Sequence, residues 1–128
     1  MSSKWISALE QAIGRAIPLV ERVDLHATKI AYCAEGARIT ALSLRGCGLR
    51  AVPEAVWELA DLQILSLGQD DLAELPGRIG ELRELRQLFF FNTAAVNLPA
   101  AVCELAKLEI LDVGHNKLVS LPESIGKL

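Results

Sequence analysis

Apolar residues recur at a fixed interval along most of this chain. Ile39, Leu62, Leu85 and Leu108 stand 23 residues apart, and the same pattern follows each of them. Within a 23-residue unit, positions 1, 4, 6, 11, 14, 18 and 21 are apolar in all four copies, 28 matches in 28. The copies run over 39–61, 62–84, 85–107 and 108–128, the last one two residues short. A proline at position 15 recurs with them as Pro53, Pro76, Pro99 and Pro122. A period this regular marks a repeat architecture.

Each copy predicts the same three pieces. Positions 4 and 6 alternate with polar or variable neighbours, the period of a short strand with one buried face. The stretches GCG, GQDD and GHN that follow are turn chemistry. The proline then fixes φ, and the xxIxxL spacing after it suits one or two helical turns. A single strand–turn–helix of this length cannot bury its own leucines. Stacked copies can, and the product is a solenoid with strands on one side and short helices on the other.

The four copies together, LxxLxLxxNxLxxLPxxIxxLxx, resemble the leucine-rich repeat, in its 23-residue LPxxI class of intracellular and bacterial proteins. The resemblance covers residues 39–128. It implies an α/β leucine-rich-repeat solenoid, with a curved parallel sheet and short helices on the convex side. It also implies that a protein partner is bound on the concave sheet, without saying which. The family usually places Asn or Cys at position 9; here that position holds Cys47, Asp70, Thr93 and Asn116. An ionised Asp70 cannot donate a hydrogen bond, which predicts a looser second loop. In the third copy Asn92 comes one place early and Ala95 replaces a leucine, which predicts a shifted turn.

Residues 1–38 fall outside this frame and predict an N-terminal cap over the first repeat's exposed apolar end. Ser2 or Ser3 caps a helix carrying Trp5, Ile6, Leu9, Ile13 and Ile17, which Pro18 ends or kinks near Ile17. RVDLHATKIAYC reads equally as a second helix or a strand, and Glu35–Gly36 as a tight turn feeding the first repeat strand. Trp57 is expected to pack on the cap helix, near Trp5. At the other end Leu128 occupies position 21 of the last copy. The edge there predicts either self-association into a homo-oligomer or a piece of a longer protein.

Composition narrows the function classes. The 128 residues are 52% hydrophobic, with 22 leucines, which excludes a disordered chain. Formal net charge is −3 without a basic stripe, against nucleic-acid binding. No apolar run reaches the roughly 18–20 residues of a membrane span, and MSSKWISALEQAIGR lacks a signal peptide's apolar centre. A cytoplasmic location is expected, with a secreted effector left open. Cys33, Cys47 and Cys103 are odd in number and unrelated in spacing, so no disulfide framework is expected. Cys33 and Cys103 read as small buried thiols. His26 and His115 share no ligand spacing with a cysteine or each other, and no phosphate-binding glycine loop is present. Neither a metal, a cofactor nor a catalytic set is expected. Glu54, Glu58, Asp61, Glu81, Glu84 and Glu104 read as a solvated helical surface.

The strand phase singles out the candidate site. With positions 4 and 6 facing inward, positions 3, 5 and 7 face the concave side. Position 3 holds Ala41, Ile64, Gln87 and Ile110; position 5 holds Ser43, Ser66, Phe89 and Asp112; position 7 holds Arg45, Gly68, Phe91 and Gly114. Phe90 takes the core slot, which leaves Phe89 and Phe91 outside between Ile64 and Ile110. Exposed aromatics with arginine nearby are what binding hot spots are enriched in. The sequence therefore predicts a non-catalytic protein-recognition module with Phe89, Phe91, Ile64, Ile110, Arg45, Gln87 and Asp112 at its contact face. The competing readings are a targeting or regulatory domain of a larger protein, such as a bacterial effector enzyme, and a self-associating structural unit.

Overall fold

The computed structural model describes residues 4–20, 30–68, 72, 74–91 and 97–114. Helix α1 spans Lys4–Ile13 and strand β1 spans Ile30–Glu35. Four strands follow in the repeats: β2 (Arg38–Leu44), β3 (Ile64–Gly68), β4 (Gln87–Phe91) and β5 (Ile110–Asp112). After each of Pro53, Pro76 and Pro99 comes one short 3₁₀ helix: Glu54–Glu58, Gly77–Glu81 and Ala100–Glu104. The strands make one sheet in the order β1-β2-β3-β4-β5.

The 23-residue interval is visible directly in the pairing. Ala41 pairs with Ile64, Ile64 with Gln87 and Gln87 with Ile110, all parallel. At position 2 the backbone climbs in equal steps: the Gln63 amide donates to the Thr40 carbonyl at 2.7 Å, Arg86 to Gln63 at 2.8 Å and Glu109 to Arg86 at 2.7 Å. The GCG turn after β2 needs its glycines, because Gly46 and Gly48 have φ of 70° and 73°, where a Cβ is strained. The corresponding turns near 70, 93 and 116, including the shift expected at Asn92 and Ala95, lie outside the described residues, as does Pro122.

Positions 4 and 6 supply the core. Leu42, Leu44, Leu65, Leu67, Leu88 and Phe90 are fully buried, and Leu111 and Val113 pack partly against them. The 3₁₀ helices close the layer from the other side with Val56, Ile79 and Val102, all at zero exposure. Fully burying one such side chain is worth about 1.5–3 kcal/mol, so the strand–helix sandwich carries the stability of the unit.

The cap differs from expectation in two ways. The helix ends at Ile13 rather than Ile17, because Gly14 takes a left-handed φ of 71° and its amide donates to the Glu10 carbonyl at 2.9 Å. That is a glycine C-cap, and it stops the helix before Pro18 is reached. The Glu10 carboxylate then accepts the Ile17 amide at 2.7 Å and ties the segment after the helix back to it. Second, the sheet begins with an antiparallel strand, not with the first repeat: β1 pairs with β2, Ala31 opposite Ser43 and Cys33 opposite Ala41. Of the ambiguous RVDLHATKIAYC stretch, Ile30–Cys33 is strand, and residues before Ile30 lie outside the described residues. Leu19 adds a further parallel bridge to Tyr32. Trp57 is 3% exposed in the core, and α1 packs on its 3₁₀ helix as expected.

Gly80 sets how closely the second and third 3₁₀ helices approach. A Cβ there would sit 3.2 Å from both the Ala101 Cβ and the Glu104 Oε2. Glu104 can swing aside, but the Ala101 Cβ is fixed to backbone. Gly80→Ala is expected to lower the unfolding free energy by about 1 kcal/mol, the overpacking cost outweighing the entropy gained in the unfolded chain. A urea titration checks this through a lower midpoint at unchanged slope.

The concave sheet face as candidate functional site

The described side chains at positions 3 and 5 alternate along each strand with the leucine core, and they differ widely in access to water. In the position-3 column exposure rises from β2 to β5. Cys33 and Ala41 are 8% and 4% exposed and pack with Val20 and Ile64 in a second, small apolar cluster. Ile64 and Gln87 are half-buried, and Ile110 is 42% exposed. The open apolar surface of this face is therefore at its β3–β5 end.

The position-5 column corrects the sequence reading. Ala31, Ser43, Ser66 and Phe89 lie side by side across four strands and all are buried, Phe89 at 2%. Phe89 is not the exposed anchor expected of it. Its row neighbours are small, and this central column has position-3 and position-7 side chains on either flank. Asp112, next in the row, is half-buried, and its Oδ1 accepts the Gly114 amide at 3.0 Å, steadying the turn after β5.

Arg45 is also buried, at 7%, where a rim cation was expected. The adjacent strand offers Gly68 at the same level, and Gly46 donates its amide to the Gly68 carbonyl at 2.9 Å. With no side chain on Gly68, there is room for the Arg45 methylene stem to lie along the sheet. The Phe91 side chain lies outside the described residues. Of the seven expected contact residues, four therefore remain at least partly open: Ile64, Gln87, Ile110 and Asp112.

What the sequence reading missed is a set of ion pairs at the repeat interval. Arg38 meets Asp61 at 3.8 Å, Lys107 meets Glu84 at 2.7 Å and Arg86 meets Glu109 at 2.9 Å, each across 23 residues. Arg78 joins neighbouring repeats, bonding Glu81 at 3.0 Å and Glu54, with Glu58 at 3.8 Å. The acidic residues read as merely solvated are thus largely paired. Opposite signs at equal repeat positions were the available signal.

These pairs shift titration. The Arg78 hydrogen bond holds Glu81 below its ordinary value, and the Lys107 bond does the same for Glu84. Glu81 in turn raises Arg78. A carboxyl group whose folded pKa is depressed stabilises the fold above its unfolded pKa and loses that contribution as pH falls through the folded one. Urea midpoints are expected to fall as pH drops below the ordinary glutamate range, modestly because the groups are exposed, and the drop should shrink in high salt.

Among the described residues, no group of three or more His, Cys, Asp or Glu could hold a metal ion, and no helix is long and apolar enough to cross a membrane. Cys33 is buried, whereas Cys103, expected buried, is half-buried beside Val102. His26 and His115 lie outside the described residues.

Comparison with known proteins agrees with this geometry. A family model described as Leucine Rich Repeat matches residues 107–128. No curated protein sequence matches. Among solved structures, a leucine-rich-repeat protein of Leptospira interrogans is similar at 31% identity with a TM-score of 0.61, over 68% of this chain and 28% of that one. A plant ice-binding protein is similar in fold at 24% identity and a TM-score of 0.57, over 69% of this chain and 30% of that one. A chain of the BIR3–SERK2 complex of Arabidopsis thaliana shares the fold at 19% identity and a TM-score of 0.52, over 93% and 80% of the two chains. The chain thus spans less than a third of the length of the first two.

Proposed function

Because this chain is a leucine-rich-repeat protein, we propose that it is a non-catalytic recognition module that seats a protein partner on its concave sheet. The contact row is position 3 of the repeats, Ile64, Gln87 and Ile110, with Asp112 alongside. The observation that carries this reading is the exposure of Ile110, 42% on a face whose neighbouring side chains are otherwise partly or wholly closed. A solvent-facing isoleucine in line with the half-buried Ile64 and Gln87 offers a row of apolar and amide contact rather than a lone exposed residue. The leucine core fixes the row, since successive strands repeat every 23 residues and hold these side chains about 4.8 Å apart.

The test is capture of a partner from the cell of origin, its identification by mass spectrometry, and titration of the purified partner against two forms of the chain. Ile110→Asp is expected to weaken binding at least about tenfold, while thermal stability stays within about 0.5 kcal/mol of the parent. Undiminished binding by a folded Ile110→Asp protein would move the interface elsewhere. Self-association gives a different outcome: sedimentation would then show a mass rising with concentration in the absence of any partner.

A further inference from the structure

The buried row at position 4 extends beyond the repeats into the cap. Leu88, Leu65 and Leu42 pair in register, Tyr32 continues the row on β1, and Leu19 is bridged to Tyr32 at its end. Tyr32 and the three leucines are buried, whereas Leu19 is 62% exposed, the most open large apolar side chain among the described residues. The row therefore ends in water at the N-terminal edge of the sheet.

The backbone of the same residue is open as well. Tyr32 donates its amide to the Pro18 carbonyl at 3.0 Å, and its own carbonyl accepts the Val20 amide at 2.9 Å. Pro18 and Val20 thus turn their backbone groups toward β1. Neighbouring residues of an extended segment direct these groups to opposite edges, so the Leu19 N–H and C=O face away from the sheet. Neither has a partner among the described residues. The edge is short, because the next outward residue toward the N-terminus, Ile17, already gives its amide to the Glu10 carboxylate at 2.7 Å. A long foreign strand finds few groups to pair with there. One outward donor, one outward acceptor and one bare leucine, all on a single residue, match a second copy of themselves. In an antiparallel hydrogen-bonded pair the two opposed residues exchange both N–H···O bonds and set their side chains together on one face. A twofold axis through such a pair satisfies both Leu19 backbone groups and lays the two leucines against each other.

We propose that two copies of the chain associate at this edge, Leu19 pairing with Leu19 of the second copy about a twofold axis. Such a contact uses the same patch on both copies and closes at a dimer. Residues 16–20, AIPLV, carry no charge, so the contact itself sets no like charges together despite the chain's net charge of −3. One short segment covers less than the roughly 800 Å² per partner of a stable complex, so the dimer is weak and forms in concentrated solution. The edge is separate from the concave row, and neither proposal stands on the other. The experiment is sedimentation equilibrium of the full chain over a concentration series, with the Leu19 amide followed by NMR on the same samples. The mass is expected to rise toward that of two chains at the concentrated end, and the Leu19 amide to shift in step as its hydrogen bond forms. Leu19→Lys sets like charges opposite each other at an exposed position. It is expected to weaken dimerisation at least about fivefold with an unchanged melting temperature. Ile110→Asp is expected to leave the dimer as it is, and Leu19→Lys to leave partner capture on the concave face as it is, so the two readings fail separately. A mass that stays at one chain throughout the series overturns the proposal. So does a dimer that Leu19→Lys leaves intact, or one that Ile110→Asp abolishes.

Discussion

Phe90→Ala is expected to lower the unfolding free energy by about 3–5 kcal/mol, the largest effect of any single truncation on the sheet. Among the described residues Phe90 is the largest fully buried side chain, and it fills the position-6 slot where the other repeats carry Leu44, Leu67 and Val113. It pairs with Leu67 across β3 and β4, at the centre of the stack. Removing the ring leaves a cavity between layers that the 3₁₀ helices cannot close, because the prolines and the 23-residue step fix their distance from the strands. Against a total stability of about 5–15 kcal/mol for a domain, such a loss populates unfolded chain at physiological temperature. Urea unfolding followed by circular dichroism checks it. A change below 1 kcal/mol would show that the third repeat is not packed through this residue.

Phe89→Ala is the second, and its direction separates the structure from the sequence reading. An exposed Phe89 would cost less than about 0.5 kcal/mol when truncated. At 2% exposure it is expected to cost about 2–4 kcal/mol, toward the low end for a phenylalanine because the ring lies outside the contiguous leucine core. The same titration reads it. Loss of partner binding by this variant would then report damage to the sheet rather than removal of a contact, which is why Ile110→Asp is the cleaner probe of the interface.

The repeat was legible because it is redundant. Four copies of seven apolar positions specify a period, and the period dictates which residues pair, so Leu42, Leu65 and Leu88 fall in one buried row as their spacing requires. The proline at position 15 likewise marked the start of each 3₁₀ helix. The cap carried no such redundancy. Gly14 and Pro18 both signal a helix end, and the nearer one won because a left-handed glycine satisfies the last carbonyls before proline can act. Strand β1 was equally hidden, since IAYCAE alternates too briefly to be told from a helix.

Exposure on the candidate face was half legible for a related reason. Strand alternation tells which face a side chain leaves from, and Ile64, Gln87 and Ile110 are at least partly open where their core neighbours Leu65 and Leu88 are wholly buried. It does not tell how deep the hollow is. Phe89 and Arg45 are nevertheless buried, although the neighbouring strand sets only Ser66 and Gly68 beside them. Burial on a curved face depends on what stands beside a residue in other repeats, three-dimensional information that one strand read alone lacks.

Everything about the contact row follows from neighbouring residues of one strand pointing to opposite sides of the sheet. Thiol labelling of Gln87→Cys and Leu88→Cys, each in a Cys47→Ser, Cys103→Ser background, measures this directly. Gln87 is half-buried on the concave side and Leu88 has no exposure at all. The thiol at 87 is predicted to react at least about a hundredfold faster than the one at 88, whose labelling must await opening of the fold. Equal rates, or faster reaction at 88, would contradict the phase of the strands and remove the face on which a partner is proposed to sit.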